Sequence, residues 1–131
     1  MEPDADGVLA SALEILEIAE VERLLASGAA ADVFSAAEKA YAEGKSDPER
    51  RLAARLAAKR AAARLLGPGI APADVEIVRG RGGPPRLALS PRAEARLRQL
   101  GATRALVSLT HGQEQAAAAV LLVRDPGRDP A

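Results

Sequence analysis

The residues able to do chemistry are few, and most are cations. The chain has no cysteine and one histidine, His111. Thiolate nucleophiles, disulfides and cysteine-ligated metals are therefore excluded. The densest cationic group lies in Arg55-Leu56-Ala57-Ala58-Lys59-Arg60-Ala61, with Arg64 one turn further on. At helical spacing Ala53, Ala57, Arg60 and Arg64 share one stripe, and Leu52, Leu56, Lys59 and Ala63 share the next. Guanidinium groups bind phosphate bidentately and stabilise charge developing on it. They cannot coordinate a metal cation. Glu14, in an alternating segment, could serve with His111 as an acid and base pair. Arg79-Gly80-Arg81-Gly82-Gly83 could cradle phosphate, but it carries no phosphate-binding signature and reads first as a solvated hairpin turn.

The elements that must position these groups follow from pattern and punctuation. Pro48 to Leu66 is predicted as a long helix, rich in alanine, leucine, arginine and lysine. Asp47 suits its N-cap, Pro48 its first position, and Gly67-Pro68-Gly69 stops it. The small residues below Arg60 and Arg64 would let another backbone approach closely. Ser35 to Ala42 reads as a short helix, with Ser35 and Glu38 at capping-box spacing. Leu13 to Ile18 fits a strand or the start of a helix continuing through Val21, Leu24 and Leu25. Val75 to Val78 and Arg86 to Leu89 read as a strand and its return, and Ser90-Pro91 opens a helix closed by Gly101. Ala105 to Thr110 is a strand leading to His111. Gln115 to Val123 fits a buried strand or a helix: its alanines favour helix, and Val120-Leu121-Leu122-Val123 favours strand.

With 131 residues, the chain has room for one ordinary domain. We expect a flexible lead over 1–6, one domain over 7–123 and a loose tail over 124–131, which is rich in charge and breakers. Hydrophobic residues make up 48% and charged residues 27%, a globular balance. Aromatics are only 2%, so alanine, leucine and valine must build the core, and oligomerisation would help to stabilise it. Formal net charge is zero, which argues against a bulk electrostatic grip on nucleic acid or acidic membranes. No apolar run reaches membrane-spanning length, and the acidic N-terminus lacks the basic region of a signal peptide, so a cytoplasmic location is expected.

A set of collinear motifs runs from about Leu13 to Val123. Leu13-Glu14-Ile15-Leu16-Glu17-Ile18 resembles I-D-I-V-E-I, and Val33-Phe34-Ser35-Ala36-Ala37-Glu38 resembles V-F-T-x-x-E, with Tyr41 also in place. Glu49 to Gly69 resembles E-R-x-L-A-x-R-F-A-A-K-E-A-x-x-K-x-L-G-x-G. Asp74 to Ile77, then Gly82 to Leu87, resemble D-I-E-I and G-K-P-x-L, and Val107 to Ala118 resembles V-S-L-S-H-T-x-x-Y-A-A-A. Together these identify the chain as similar to the holo-acyl-carrier-protein synthases, a family of phosphopantetheinyl transferases. The resemblance implies an α+β fold, with an antiparallel sheet packed against the long helix. It also implies a homotrimer with coenzyme A in clefts between subunits. The implied reaction moves phosphopantetheine from coenzyme A to a serine of acyl carrier protein, by in-line attack on phosphorus with magnesium neutralising the phosphates.

Carried over residue by residue, the resemblance makes Glu14, Lys59, Arg60 and Arg64 the catalytic positions and Arg55 and His111 the coenzyme A ligands. The departures are concentrated there. Glu14 stands for a magnesium-binding aspartate, Arg60 for the second, glutamate ligand, and Arg64 for a lysine. A cation at position 60 would repel magnesium, so no metal ligands are assigned. Glu20 stands for a basic residue that grips the acidic carrier protein, so docking is expected to be weakened. The bland readings stay beside these: Glu14 as an exposed strand carboxylate, His111 as an ordinary strand-end histidine, Lys59 and Arg64 as a solvated helix face. On these grounds the chain is expected to be a binding or structural homologue without magnesium-dependent transfer. The alternatives are an active or rewired synthase in which Arg60 replaces the metal, and the same fold serving a different reaction.

Overall fold

The computed structural model describes residues 6–80 and 82–127. Of the segments singled out above, Arg81 of the glycine loop, most of the lead and 128–131 lie outside the described residues. The described chain forms β1 (Gly7–Glu17), α1 (Ile18–Ser27), α2 (Ala36–Glu43), α3 (Pro48–Leu66), β2 (Val75–Arg79), β3 (Pro85–Leu89), α4 (Pro91–Gln99), β4 (Arg104–His111) and β5 (Gln115–Arg124), with short 3-10 turns at Ala29–Asp32 and Pro72–Asp74. Its architecture is the expected α+β one.

The strands form an antiparallel three-stranded sheet ordered β1-β5-β4 and a β2-β3 hairpin. Both open readings resolve at this level. The Leu13–Ile18 segment is a strand as far as Glu17, and the helix starts at Ile18, whose N–H donates to Glu114 O at 2.8 Å. Gln115–Arg124 is a strand despite its alanines, because it lies between β1 and β4 and its backbone is bonded on both edges. Tertiary pairing overrides local propensity there. The alanines are what let the sheet approach α3 closely.

That helix is the axis of the molecule. Its span matches the expectation, but it is buried nearly all round, from Leu52 to Ala63 and again at Leu66, apart from Arg60 and Arg64. Ala53, Ala57, Ala58 and Ala61 are fully enclosed and pack with Val21, Leu56, Val75 and Val120. Asp47 does not cap the helix with its side chain. Its carboxylate accepts instead from Arg51 Nε at 3.1 Å. The short helix α2 does carry the expected capping box: Glu38 N–H donates to Ser35 Oγ at 3.1 Å, and Ser35 N–H donates to Glu38 Oε1 at 2.9 Å.

Side chains of the sheet alternate. Glu14 faces α3, while Leu13 and Ile15 point outward beside Ala117 and Ala119 and are more than half exposed. Strand β5 extends past position 123. Arg124 pairs with Gly7 in the sheet, and Asp125 accepts from Thr103 Oγ1 at 2.8 Å and from Arg104. The first residues of the expected tail are therefore part of the fold. None of the described helices is long and apolar enough to cross a membrane.

Candidate functional site

The six candidate residues fall into three places. Arg55 and His111 come together. With Tyr41, Arg51 and Arg79 they line a cavity of about 250 Å³ between α2, α3, β2 and the end of β4. Arg55 is 3% exposed, and its guanidinium stacks on the Tyr41 ring at 4.1 Å. Burial is the main effect on it and lowers its pKa, which Tyr41 and Glu38 partly offset. Its Nε has no hydrogen-bond partner in the structure. An orphaned buried donor beside a cationic cavity is a site to which an anion would be drawn. Arg51 is held at the rim by Asp47, whose pKa is lowered by Arg51 first and by the nearby His111 charge to a lesser degree. Sequence reasoning gave Arg51 and Tyr41 no ligand-binding role, and read Arg79 first as part of a solvated hairpin turn. The available signal was that Arg51 and Arg55 lie four residues apart on one helix face.

Glu14, Arg60 and Arg64 occupy a second place, where the C-terminal half of α3 meets β1 and α1. Arg64 Nη1 donates to Glu14 Oε1 at 2.5 Å, and Nη2 donates to Leu13 O at 2.9 Å. Arg60 Nη2 donates to Glu20 Oε2 at 2.5 Å. The side chains of Arg60 and Arg64 are 35% and 54% exposed, so both remain open to solvent. Arg60 lowers the pKa of Glu20, chiefly through this hydrogen bond. The two positions whose charges looked separately anomalous, 20 and 60, are one ion pair.

Lys59 belongs to neither place. It is 1% exposed, so it is not on a solvated helix face. Its ammonium donates to Glu38 Oε1 at 2.8 Å and to the Val75 carbonyl. Glu38 Oε2 also accepts from Ile77 N–H at 2.8 Å, so this pair joins α2, α3 and β2 inside the core. On one side Lys59 borders a cavity of about 180 Å³ with Phe34, Ser35 and Glu76. The structure thus gives Lys59 a structural position, as one half of a buried ion pair.

A larger cavity, about 510 Å³, opens at the β1–α1 junction, but its lining includes Glu17, Glu22, Asp47, Glu49 and Glu114 against one cation, Arg50. That lining would repel phosphate. Charge rather than volume therefore selects the smaller cavity. The magnesium implied by the resemblance does not fit the residues present. Magnesium takes oxygen ligands, yet Glu14 is engaged by Arg64 and position 60 carries a guanidinium. Among the described residues no group of three or more His, Cys, Asp or Glu side chains is placed to hold a metal ion.

No family model matches the chain. Individual proteins do. A curated holo-acyl-carrier-protein synthase of Anaeromyxobacter dehalogenans is 40% identical over 123 residues, covering 88% of this chain and 95% of that protein. One from Moorella thermoacetica is 39% identical over 120 residues, covering 88% and 94%. Among solved structures, the synthase of Neisseria meningitidis superposes with a TM-score of 0.78 at 21% identity, covering 89% of this chain and 99% of that one. That of Helicobacter pylori, solved in complex with coenzyme A, superposes with a TM-score of 0.71 at 20% identity, covering 86% and 99%. These relatives overturn the expectation of a binding homologue without transferase activity. Proteins about 40% identical over most of the chain are synthases. The departures at Glu20 and Arg60, which prompted that expectation, compensate each other in one contact. The chain belongs to the holo-acyl-carrier-protein synthase family.

Proposed function

We propose that this protein transfers 4′-phosphopantetheine from coenzyme A to a serine of an acyl carrier protein in the cytoplasm. The observation that carries the reading is the cavity in which Arg55 and His111 meet Arg51 and Arg79. Several cations around one small cavity suit a phosphate, and Arg55 has a buried donor to spare. We assign this cavity to the phosphate on the ribose of coenzyme A.

The reacting diphosphate belongs at the second place, beside Arg60 and Arg64. There the serine oxygen forms a bond to the phosphorus that bears the pantetheine arm. The bond from that phosphorus to the nucleotide phosphate breaks, and adenosine 3′,5′-bisphosphate leaves. The serine proton passes to water. The guanidinium groups hold the phosphate oxygens in line and offset their charge.

Geometry supports an assembly in which two copies share each ligand. Arg55 and Arg60 are five positions apart on α3, so they project about 140° apart around the helix axis. One coenzyme A could scarcely touch both on a single chain. The outward face of the sheet, with exposed Leu13 and Ile15, supports the same reading, and we take the assembly to be the homotrimer. Carrier docking would fall on α1, where Arg23 supplies a cation beside Glu20.

The test is incubation with coenzyme A and an acidic apo carrier protein, followed by intact mass measurement. Addition of the phosphopantetheine arm to the carrier is expected. No addition with any of several carriers, with or without magnesium, would overturn the proposal.

A further inference from the structure

We infer that in this chain the guanidinium of Arg60 takes over the work of a metal at the coenzyme A diphosphate, and that Glu20 is its resident counter-ion, displaced when the diphosphate arrives. The inference rests on the transferase reading and adds the means by which charge is neutralised. Three observations support it. Arg60 and Arg64 lie one turn apart on α3 and both keep exposed guanidinium surface. Each is tethered by a carboxylate from a different element, Glu20 of α1 and Glu14 of β1, so neither cation drifts freely. The bond to Glu20 uses only one nitrogen of Arg60, and a guanidinium has five N–H donors.

A part-exposed ion pair of this kind is weak, whereas the fork of a guanidinium fits two phosphate oxygens at once. A diphosphate can therefore displace Glu20 from Arg60 at little cost. Before ligand arrives, the carboxylate keeps Arg60 from presenting an uncompensated charge. Once it is displaced, Glu20 is left free on α1 beside Arg23.

The experiment is calorimetric titration of the full-length protein with coenzyme A and with 3′-dephospho-coenzyme A. Each is run with a chelator and again with magnesium, on wild type, Glu20→Gln, Arg60→Gln and Arg60→Lys. Thermal melts confirm that each variant is folded. Wild-type affinity should be the same in chelator and in magnesium. Glu20→Gln should tighten binding by up to about fivefold, the equivalent of one surface ion pair. Arg60→Gln should weaken it about tenfold or more, with Arg60→Lys in between. These ratios should persist with the dephospho ligand, because they concern the diphosphate and not the Arg55 cavity. Magnesium-dependent binding by wild type would overturn the inference while leaving the transferase reading standing if carrier protein still gains mass. Unchanged affinity in Arg60→Gln would also overturn it. Loss of all binding in wild type would sink both proposals.

Discussion

Lys59 and Arg60 are neighbours on one helix and have opposite fates. Lys59 is enclosed at the centre of the molecule, with Glu38 and the Val75 carbonyl as partners. Arg60 emerges one residue later and meets Glu20 with both side chains about a third exposed. A rotation of about 100° per residue separates the two environments. Only the buried pair is fixed by desolvation, since removing either partner strands a charge with no water. The exposed pair is free to change partner. A helix that is both core and site can divide those tasks at adjacent positions.

The sharpest way to break this contrast is to remove each cation. Lys59→Met should cost about 3–5 kcal/mol, because the Glu38 carboxylate would remain buried. Arg60→Met should cost less than about 1 kcal/mol. Urea unfolding of both variants measures the difference, and equal losses would refute the division of labour. Next in size is an effect on binding. His111→Ala should weaken coenzyme A binding about tenfold or more through a lost contact to phosphate, while leaving the unfolding midpoint near that of wild type. A large fall in midpoint with unchanged affinity would make His111 structural instead.

A smaller effect sharpens the surface side of the contrast. Glu20→Arg and Arg60→Glu should each destabilise slightly, and the exchanged double variant should recover most of the loss. The coupling energy expected for an exposed pair is about 0.2–1 kcal/mol. Zero coupling would mean that the contact contributes nothing. The smallest effect is in pH. Arg60 holds the Glu20 pKa below the ordinary value of 4.5. A lowered folded-state pKa gives stability that is present above the unfolded value and lost as pH falls through the folded one. The stability gap between wild type and Glu20→Gln should therefore be constant near neutrality and close in the acid range below that value. A gap that widens with acid would contradict the assignment.

Much of the scaffold was legible because it is marked locally. Pro48 and Gly67 bracket α3, the Ser35–Glu38 spacing marks α2, and Gly101 closes α4. The β5 strand was legible only as an alternative, since alanine has no strand preference and the deciding term is its position between β1 and β4. Of the candidate site, Arg55 and His111 were suggested by resemblance, and both line one cavity. The burial of Lys59 was not legible, because a lysine on an alanine-rich helix looks solvated until the strands around it are placed. Nor was the Arg60–Glu20 contact, which joins residues forty positions apart. Periodicity within a helix carries no information about a partner on another element. Reading each residue alone turned one reciprocal change into two apparent losses.

The Lys59–Glu38 pair has one more effect, on solubility. The hairpin of β2 and β3 has only two strands, so the far edge of β2 would ordinarily present bare backbone groups, a template for another chain. Two of those groups are the Val75 carbonyl and the Ile77 N–H. The first accepts from Lys59 and the second donates to Glu38. A buried acid and base thus stand where a third strand would have bonded. Losing either would do more than loosen the core: it would unmask a strand edge, and the variant chain should aggregate through β2 before it has fully unfolded.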